Sequence, residues 1–536
     1  PVKPGDEEFL IQLMEGVEDI PGTALHEGVD WNWETFPEFL DAIEKKDFVM
    51  DLGFMIGHGP LRSYVMGYER CQSQVDASEE EISKMSDLVT EAIESGALGF
   101  STSRTILHRD VHGVYVPGTE ASSEEMKSLA FAIDKAGEGT LEIVSDWLDK
   151  EIEMSWMKEY VEKSDCGLTV LQTSGDAVKT ILFCEEQFLK GKNVRPQFPG
   201  RNVGMMFGLE SSLHPFIGHP SYREIAELPL SERVKIMSDP AFKEKLLKEK
   251  PNFASEIEKS MNEQGSAKSK EEIQEAASLG QKLISNYETQ FILGDPPNYE
   301  PGKEDSIAAL AETKGVSELE VIYDEFLKNG GTNLVYACFT PYDNHKLDFV
   351  ERAYSLKSSV AGGSDGGAHC GLICDASMPT TNLSHWARDR EAGKKIPIEL
   401  IVRKQTKDTA ETYGLFDRGE IKTGMLADLN IIDFENLNVT HPKMVYDLPM
   451  GGRRLIQNSF GYLATVKSGE VVYESGEATG VLPGKLIRGK QTCEVKAEKE
   501  KIPFVDRTLR LMSVKAFKLL WNLRKKPAKT TVVSGD

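Results

Sequence analysis

The sequence predicts an α/β protein in which strands and helices alternate, as either a (β/α) barrel or an open α/β sheet. From about residue 48 to residue 365, short apolar runs rich in β-branched residues alternate with amphipathic helical stretches, which is the pattern of parallel βα units. The composition, 40% apolar and 28% charged over 536 residues, is that of an ordinary globular protein. A chain of this length can bury a large core.

Seven segments are the predicted strands, and the helices lie between them. The strands are Phe48–Ile56, Ala97–Ser101, Thr140–Ser145, Leu168–Thr173, Asn193–Phe198, Asn333–Phe339 and Ser359–Gly363. Glu79–Ser95 and Ser122–Ala136 are predicted helices, the second of which opens with a Ser-x-x-Glu capping box. The Lys- and Glu-rich region at about 221–290 interrupts the alternation and is predicted to be a helical insertion without strands. Residues 1–413 are therefore predicted to form the barrel and its insertion.

The character of the sequence changes twice after residue 413. Residues 414–490 contain short apolar strands separated by Ser-Gly turns, which predicts a small β domain or sandwich. Its predicted strands include Leu429–Phe434, Leu463–Lys467 and Glu470–Tyr473. Residues 491–536 are predicted to be a tail with a basic amphipathic helix. Such a helix can dock on its own acidic body, on an anionic membrane surface or on a partner.

The net charge limits the possible binding partners, and the number and spacing of the cysteines indicate the cellular compartment. The formal charge of -24 disfavours a nucleic-acid partner, because an acidic surface repels phosphates. The seven cysteines are odd in number and scattered, which is unlike a disulfide framework and favours a reducing, cytoplasmic setting. No run of about 18 apolar residues occurs, so no membrane span is predicted. The chain starts at Pro1 without an initiator Met or a signal region, which predicts a cut start.

The most specific motif is the run Gly363-Ser364-Asp365-Gly366-Gly367-Ala368-His369, which directly follows the last predicted strand. In a barrel, a carboxylate at the carboxyl end of a strand faces the mouth where catalysis occurs. The glycines allow a sharp turn, and Ser364 and His369 can hold the carboxylate or a substrate oxygen. A glycine-rich turn whose Asp caps a helix is the alternative. The run lacks the Gly-Lys-Ser/Thr of a phosphate-binding loop, which argues against nucleotide binding.

Several segments resemble, in family order, the N-acyl-D-amino-acid deacylases (D-aminoacylases) of the amidohydrolase superfamily. They are Met14–Gly22, Asp30–Pro37, Gly57–Gly67, Gly96–Thr102, Ser364–Gly366, Gly424–Leu429 and Gly469–Val472. The resemblance extends from Pro1 to about Gly489. It implies a (β/α)8 TIM-like barrel, incomplete at the N-terminus, with a small β-sandwich built from both chain ends. Seven predicted strands and two expected upstream exceed eight, so Ala97–Ser101 or Thr140–Ser145 is the expected surplus.

The resemblance also implies hydrolysis of a linear amide by a metal-activated water. Asp365 matches the family's strand-eight aspartate, which implies that it is a metal ligand, the general base, or both. The implied cofactor is zinc, as one or two divalent ions, with most ligands expected before Pro1. Gln172 and Gln197 stand where relatives place metal-binding histidines. Because amides are poor zinc ligands, the resemblance predicts one ion rather than two.

The resemblance specifies the type of reaction more closely than it specifies the substrate. Where D-aminoacylases carry an arginine that grips the substrate carboxylate, this chain has Asp375, which cannot provide that grip. The expected partner is a small N-acyl compound, and a homo-oligomer is left open. A cyclic-amide hydrolase, similar to hydantoinases and dihydroorotases, and a non-catalytic scaffold of the same fold are the alternative functions.

Four further residues are predicted to contact substrate. His58 follows a predicted strand, and His214 lies in a loop that could close on the site. Arg62 and Arg104 could bind a substrate anion. A turn residue, a surface side chain or an ion pair is the alternative role for each of them.

Overall fold

The computed structural model describes residues 1–147, 149–172, 178–253, 278, 280–340, 342–493 and 504–524. The strands are β1 (Ile56–Gly57), β2 (Gly99–Arg104), β3 (Thr140–Ser145), β4 (Gly167–Leu171), β5 (Val194–Pro199), β6 (Val203–Phe207), β7 (Gln290–Ile292), β8 (Val335–Thr340), β9 (Val360–Gly362), β10 (Leu429–Ile432), β11 (Asn438–Val439), β12 (Lys443–Leu448), β13 (Gly452–Ile456), β14 (Ser459–Phe460), β15 (Tyr462–Lys467), β16 (Glu470–Glu474) and β17 (Glu477–Ala478).

The helices occupy both the segments between these strands and the two ends of the described chain. They are α1 (Glu7–Glu18), α2 (Gly22–Gly28), α3 (Phe36–Ile43), α4 (His58–Met66), α5 (Tyr68–Gln72), α6 (Glu79–Glu94), α7 (Ser123–Ala136), α8 (Lys150–Lys163), α9 (Val178–Leu189), α10 (Pro220–Arg223), α11 (Leu230–Met237), α12 (Pro240–Lys248), α13 (Ile307–Lys314), α14 (Glu318–Phe326), α15 (Asp348–Tyr354), α16 (Met378–Thr381), α17 (Ile398–Gln405), α18 (Lys407–Thr412) and α19 (Phe504–Arg524). Ser122, the predicted capping serine before α7, accepts a hydrogen bond from the third helical backbone N–H, and Ser78 caps α6 in the same way.

A parallel sheet of six strands, in the order β1-β2-β3-β4-β5-β9, forms the centre of the fold. Helices α6, α7, α8 and α9 connect its successive strands, which confirms the predicted βα alternation and agrees with a TIM-barrel-type fold. The apolar residues of β3 and β4 are buried against these helices. Strands β2 and β3 approach so closely at Gly99 that a Cβ there would lie 1.9 Å from the Thr140 carbonyl oxygen.

Each predicted strand up to residue 363 overlaps a strand of the structure, but two expectations about how they assemble into sheets are wrong. Ala97–Ser101 and Thr140–Ser145, expected to include a surplus, correspond to β2 and β3 and both join the parallel sheet. The strand predicted at Asn333–Phe339 forms as β8, but it pairs antiparallel with β6 and β7 in a separate sheet. Local sequence patterns cannot distinguish these cases, because a buried apolar run looks the same in either sheet.

A long excursion between β5 and β9 contains this second sheet. Helices α10 to α14 pack around it, and their apolar side chains form a core of their own. The predicted helical insertion lies within this excursion, although its residues 254–277 are outside the described part of the chain. The described residues between 221 and 289 form helices and no strand, and β7 begins directly after them at Gln290.

The strands predicted after residue 413 are present. β10, β15, β16 and β17 form a four-stranded antiparallel sheet, and β11–β14 and β12–β13 form two short pairs. The first predicted strand of the chain, Phe48–Ile56, is reduced to β1, while Phe48 and Leu52 form isolated bridges with Gly484 and Leu486. A sandwich of two layers stays a prediction. Among the described residues, no helix is long and apolar enough to cross a membrane.

Candidate active site

Asp365 lies three residues beyond the carboxyl end of β9, in the loop that joins the parallel sheet to α16. Its side chain belongs to an exposed segment that also includes Gly366 and Gly367. The backbone turns tightly there, with positive φ of 75° at Gly363, 37° at Asp365 and 52° at His369. Strained backbone of this kind is common at functional sites. The loop therefore presents the carboxylate at the end of the sheet where barrel enzymes carry out catalysis.

The loop is held from three sides by residues distant in sequence. The backbone N–H of Cys370 donates to the carbonyl of Glu18 at 3.0 Å, and that of Gly371 donates to Asp19 Oδ2 at 3.1 Å. Ser212 Oγ donates to the same Asp19 oxygen at 2.6 Å. On the third side, the Leu455 N–H donates to the Cys370 carbonyl at 2.6 Å. The end of α1, the excursion and the C-terminal strands thus fix the position of the Asp365 loop.

Ionisable side chains gather around this loop. His369 Nε2 lies 3.8 Å from Glu18 Oε2, and the His369 and His108 rings are 6.5 Å apart between centroids. Burial raises the pKa of the Glu18 carboxyl and the nearby Asp365 raises it further, although His369 opposes both. Paired groups with displaced pKa values are a frequent sign of acid–base chemistry. We call Glu18, His108, Asp365 and His369 the Asp365 cluster.

His108 is held neutral within this cluster. Its Nδ1 lies 2.8 Å from Ser103 Oγ, near the end of β2. Burial, assisted by the neighbouring His369, lowers the pKa of His108 to about 4. Sequence reasoning missed His108, Glu18 and Asp19, because no local motif marks their approach to Asp365. The resembling segment Met14–Gly22 contained the two acidic residues without revealing what they contact.

Because the folded pKa of His108 is lower than the unfolded one, we expect His108 to make stability fall on acidification. The neutral ring is favoured in the fold, so the unfolded chain binds more protons as the pH drops from about 6.5 towards 4. Thermal melts of wild type and His108→Gln across this range measure the effect. We expect the variant to lose less stability on acidification. His26→Gln, at a half-exposed histidine, is the control, and equal acid sensitivity of His108→Gln and wild type would contradict the expectation.

The structure places two of the predicted substrate ligands in the core. His58 and Arg62 both contact Glu125 Oε1, each at 2.9 Å, and their side chains are 1% and 2% exposed. The other ring nitrogen of His58 lies 2.9 Å from Thr102 Oγ1. Burial lowers the pKa of His58 although Glu125 acts in the opposite direction. These side chains join α4 to α7 and β2, and the structure does not bring them to the Asp365 loop.

His214 is buried in the protein interior, whereas Arg104 lies at the end of a strand. His214 is buried in the excursion, where its Nδ1 accepts from the Phe216 N–H at 3.2 Å, and burial lowers its pKa to about 3. The geometry thus makes His214 a neutral core residue rather than a group that contacts substrate. Arg104 stands at the carboxyl end of β2, where it donates to Glu153 Oε1 at 2.7 Å and to the Gly118 carbonyl at 3.1 Å.

The residue in place of the family's carboxylate-gripping arginine forms a buried ion pair. Arg201 Nη2 donates to Asp375 Oδ1 at 2.9 Å, and both side chains are 1% exposed. The Arg201 guanidinium also lies 3.7 Å from the Tyr299 ring centroid and donates to the Cys374 carbonyl at 2.7 Å. Burial raises the pKa of Asp375 to about 6, although Arg201 opposes the shift. Asp375 therefore anchors the segment after the Asp365 loop, with a partner that the sequence did not reveal.

The two glutamines at the predicted metal positions are both buried. Gln197 Nε2 donates to Glu142 Oε1 at 3.0 Å, and Tyr413 donates to the other Glu142 oxygen at 3.0 Å. Gln172 is 1% exposed and its amide donates to the Leu171 carbonyl. Over the whole described part of the chain, no three His, Cys, Asp or Glu side chains are placed to share a metal ion. The described residues therefore do not fit a metal site, and we derive no catalytic step through a metal.

Comparisons with known proteins identify relatives. Residues 298–473 match the model of the Amidohydrolase family. The D-aminoacylase of Alcaligenes xylosoxydans xylosoxydans is 25% identical over 427 residues, which cover 79% of this chain and 69% of that protein. An uncharacterized protein of Mycobacterium tuberculosis is 24% identical over 477 residues, covering 84% of this chain and 72% of its own length.

A solved structure supports the fold. It is a D-aminoacylase described by the functional role of its binuclear metal center, and it matches with a TM-score of 0.50 and 18% identity. The match covers 87% of this chain and 78% of the other. At this identity the likeness shows a shared fold, in which the six-stranded parallel sheet is the central element.

Proposed function

We propose that this chain, which is similar to an amidohydrolase family model and to a D-aminoacylase, hydrolyses the linear amide bond of an N-acyl amino acid, with Asp365 as the general base. The observation that carries the proposal is the position of Asp365, exposed at the carboxyl end of the last strand of the parallel sheet. The D-aminoacylase relative supports the same reaction class. The deacylase-like segments favour an N-acyl-D-amino acid as the substrate.

The Asp365 loop suits proton transfer to and from an amide. Asp365 accepts the proton of the attacking water and passes it to the leaving nitrogen, which cannot leave as an anion. The hydrogen bonds that hold the loop to Glu18 and Asp19 keep the carboxylate in one place during both transfers. Ser364 and His369, on either side of Asp365 in the same loop, are the proposed contacts for the substrate's oxygen atoms.

Arg104 is the remaining candidate for binding a substrate anion. Its side chain is 11% exposed at the carboxyl end of β2, and Glu153 already engages its Nε. Arg104 is a weaker candidate for substrate binding than Ser364 and His369, because its ion pair with Glu153 neutralises part of its charge.

A panel assay tests the reaction class. The purified full chain is incubated with N-acyl-D-amino acids, their L-enantiomers, a hydantoin and a dihydroorotate, and amine release or ring opening is measured. Turnover of the linear D-compounds supports the proposal. Ring opening alone would assign the cyclic-amide alternative. No turnover of any compound would favour a non-catalytic scaffold.

A metal ion is part of the proposal because the solved D-aminoacylase has a binuclear metal center, and zinc is the ion that the sequence resemblance implies. Since the described residues contain no set of three metal ligands, hydrolysis is measured with a chelator and again after zinc is added, together with the metal content of the purified protein; loss and recovery of activity would show that ligands outside the described residues hold an ion. Full activity of a metal-free preparation would remove the metal from the proposal while leaving the role of Asp365 to be tested separately.

A further inference from the structure

The C-terminal helix α19 lies against the body of the protein at helix α9. It packs on α9, where the Lys518 ammonium contacts the Glu186 carboxylate and Val514 is 8% exposed. These contacts lie on the outer surface of the α/β body, because α9 is a connecting helix of the parallel sheet.

The outward side of α19 carries an apolar stripe. Leu509, Met512 and Ala516 are spaced three and four residues apart, so they lie on one face of the helix. Leu509 is 60% and Met512 is 62% exposed. At about 100° per residue, Val514 lies roughly opposite this stripe. Helices on globular proteins usually turn apolar side chains inwards, whereas Leu509, Met512 and Ala516 of α19 are exposed to solvent.

Basic residues accompany the exposed apolar stripe in a chain that is otherwise acidic. Arg507 and Lys515 are exposed on the same helix, while Arg510 pairs with Asp506 at 3.0 Å. From residue 504 to residue 529 the sequence contains eight Lys or Arg residues and one acidic residue, although the whole chain has a formal charge of -24. This end of the chain is therefore suited to an anionic, apolar surface.

We propose that α19 docks the protein on an anionic lipid surface. The exposed apolar stripe enters the headgroup region, and the basic side chains lie against the lipid phosphates. Apolar insertion and a polybasic segment together supply the two signals that stable peripheral attachment requires. The acidic body does not prevent this attachment, because salt screens charge interactions beyond about 10 Å. The basic side chains of α19 therefore determine the electrostatic interaction with the lipid surface.

A second copy of the chain fits this stripe less well. A stable protein interface buries about 800 Å² on each partner, which exceeds what a stripe of three side chains offers. Association would also bring two strongly acidic bodies together. A lipid surface needs neither a complementary groove nor a second acidic body.

Vesicle flotation of the full chain tests the proposal. We expect binding to vesicles of phosphatidylcholine mixed with phosphatidylserine, weaker binding at high salt, and little binding to phosphatidylcholine alone. Leu509→Glu combined with Met512→Glu should abolish flotation, and Lys515→Ala should lower the membrane partition constant, obtained by titrating lipid, by about fivefold. Leu463→Glu, at a residue of β15 that is 50% exposed, is the matched control and should bind as wild type does. Thermal melts verify that each variant is folded.

Two results would overturn the proposal. One is the absence of flotation with phosphatidylserine vesicles, or flotation that the Leu509 and Met512 substitutions leave unchanged. The other is concentration-dependent dimerisation in sedimentation velocity that Leu509→Glu abolishes, since this would assign the exposed apolar stripe to a second copy of the chain.

Discussion

Replacement of Asp365 by Asn is expected to lower kcat for hydrolysis of an N-acyl amino acid by about a thousandfold. The amide cannot accept the proton of the attacking water, while its size and shape preserve the loop. Because the loop is held through the backbone of Cys370 and Gly371 rather than through the Asp365 side chain, the variant should fold normally. Steady-state kinetics with the best substrate of the panel measure the loss.

The control for this prediction is Asp87→Asn, at a largely exposed aspartate of α6. It should leave kcat and KM unchanged. A similar turnover by Asp365→Asn and wild type would exclude Asp365 from proton transfer. A loss restricted to KM would assign Asp365 to substrate binding instead.

Asp375→Ala is expected to lower the free energy of unfolding by about 3 to 5 kcal/mol, because it leaves the buried Arg201 guanidinium without its carboxylate. Both side chains of this pair are excluded from water, and the Arg201 Nε and Asp375 Oδ2 have no hydrogen-bond partner in the described part of the protein. Chemical denaturation of wild type and variant measures the difference. The activity of the folded fraction should persist, since Asp375 does not contact the substrate in this proposal.

A second ion pair provides the matched control for Asp375→Ala. Asp447 and Arg454 are paired in the same Asp–Arg chemistry, but their side chains are 51% and 42% exposed. Asp447→Ala should therefore cause no measurable destabilisation, because water solvates the arginine that remains. The double variant Asp375→Leu with Arg201→Met should recover most of the stability lost in Asp375→Ala. Equal effects of the two single Asp→Ala changes would show that burial of the Arg201 pair has no energetic consequence.

Structural elements whose pattern lies within a few neighbouring residues could be predicted from the sequence. The alternation of apolar runs and amphipathic helices predicted five of the connected parallel strands, and the Ser-x-x-Glu pattern predicted the start of α7 at Ser123. The placement of Asp365 after β9 was also predicted, because the glycine-rich loop directly follows an apolar run. Such features depend on residues a few positions apart, where backbone geometry restricts the outcome.

Contacts between side chains that are distant in the sequence became visible only in the tertiary structure. Glu18 and His108 reach the Asp365 loop from α1 and from the segment after β2, while His58 and His214 are buried with partners of their own. The sheet to which β8 belongs was also not predictable, because its apolar sequence is compatible with both sheets. Its antiparallel pairing with β6 places it in the second sheet. Most of these contacts join residues tens to hundreds of positions apart, from His58 and Glu125 to Glu18 and His369, and they leave no periodic pattern in the sequence. The site is therefore a local motif completed by long-range packing.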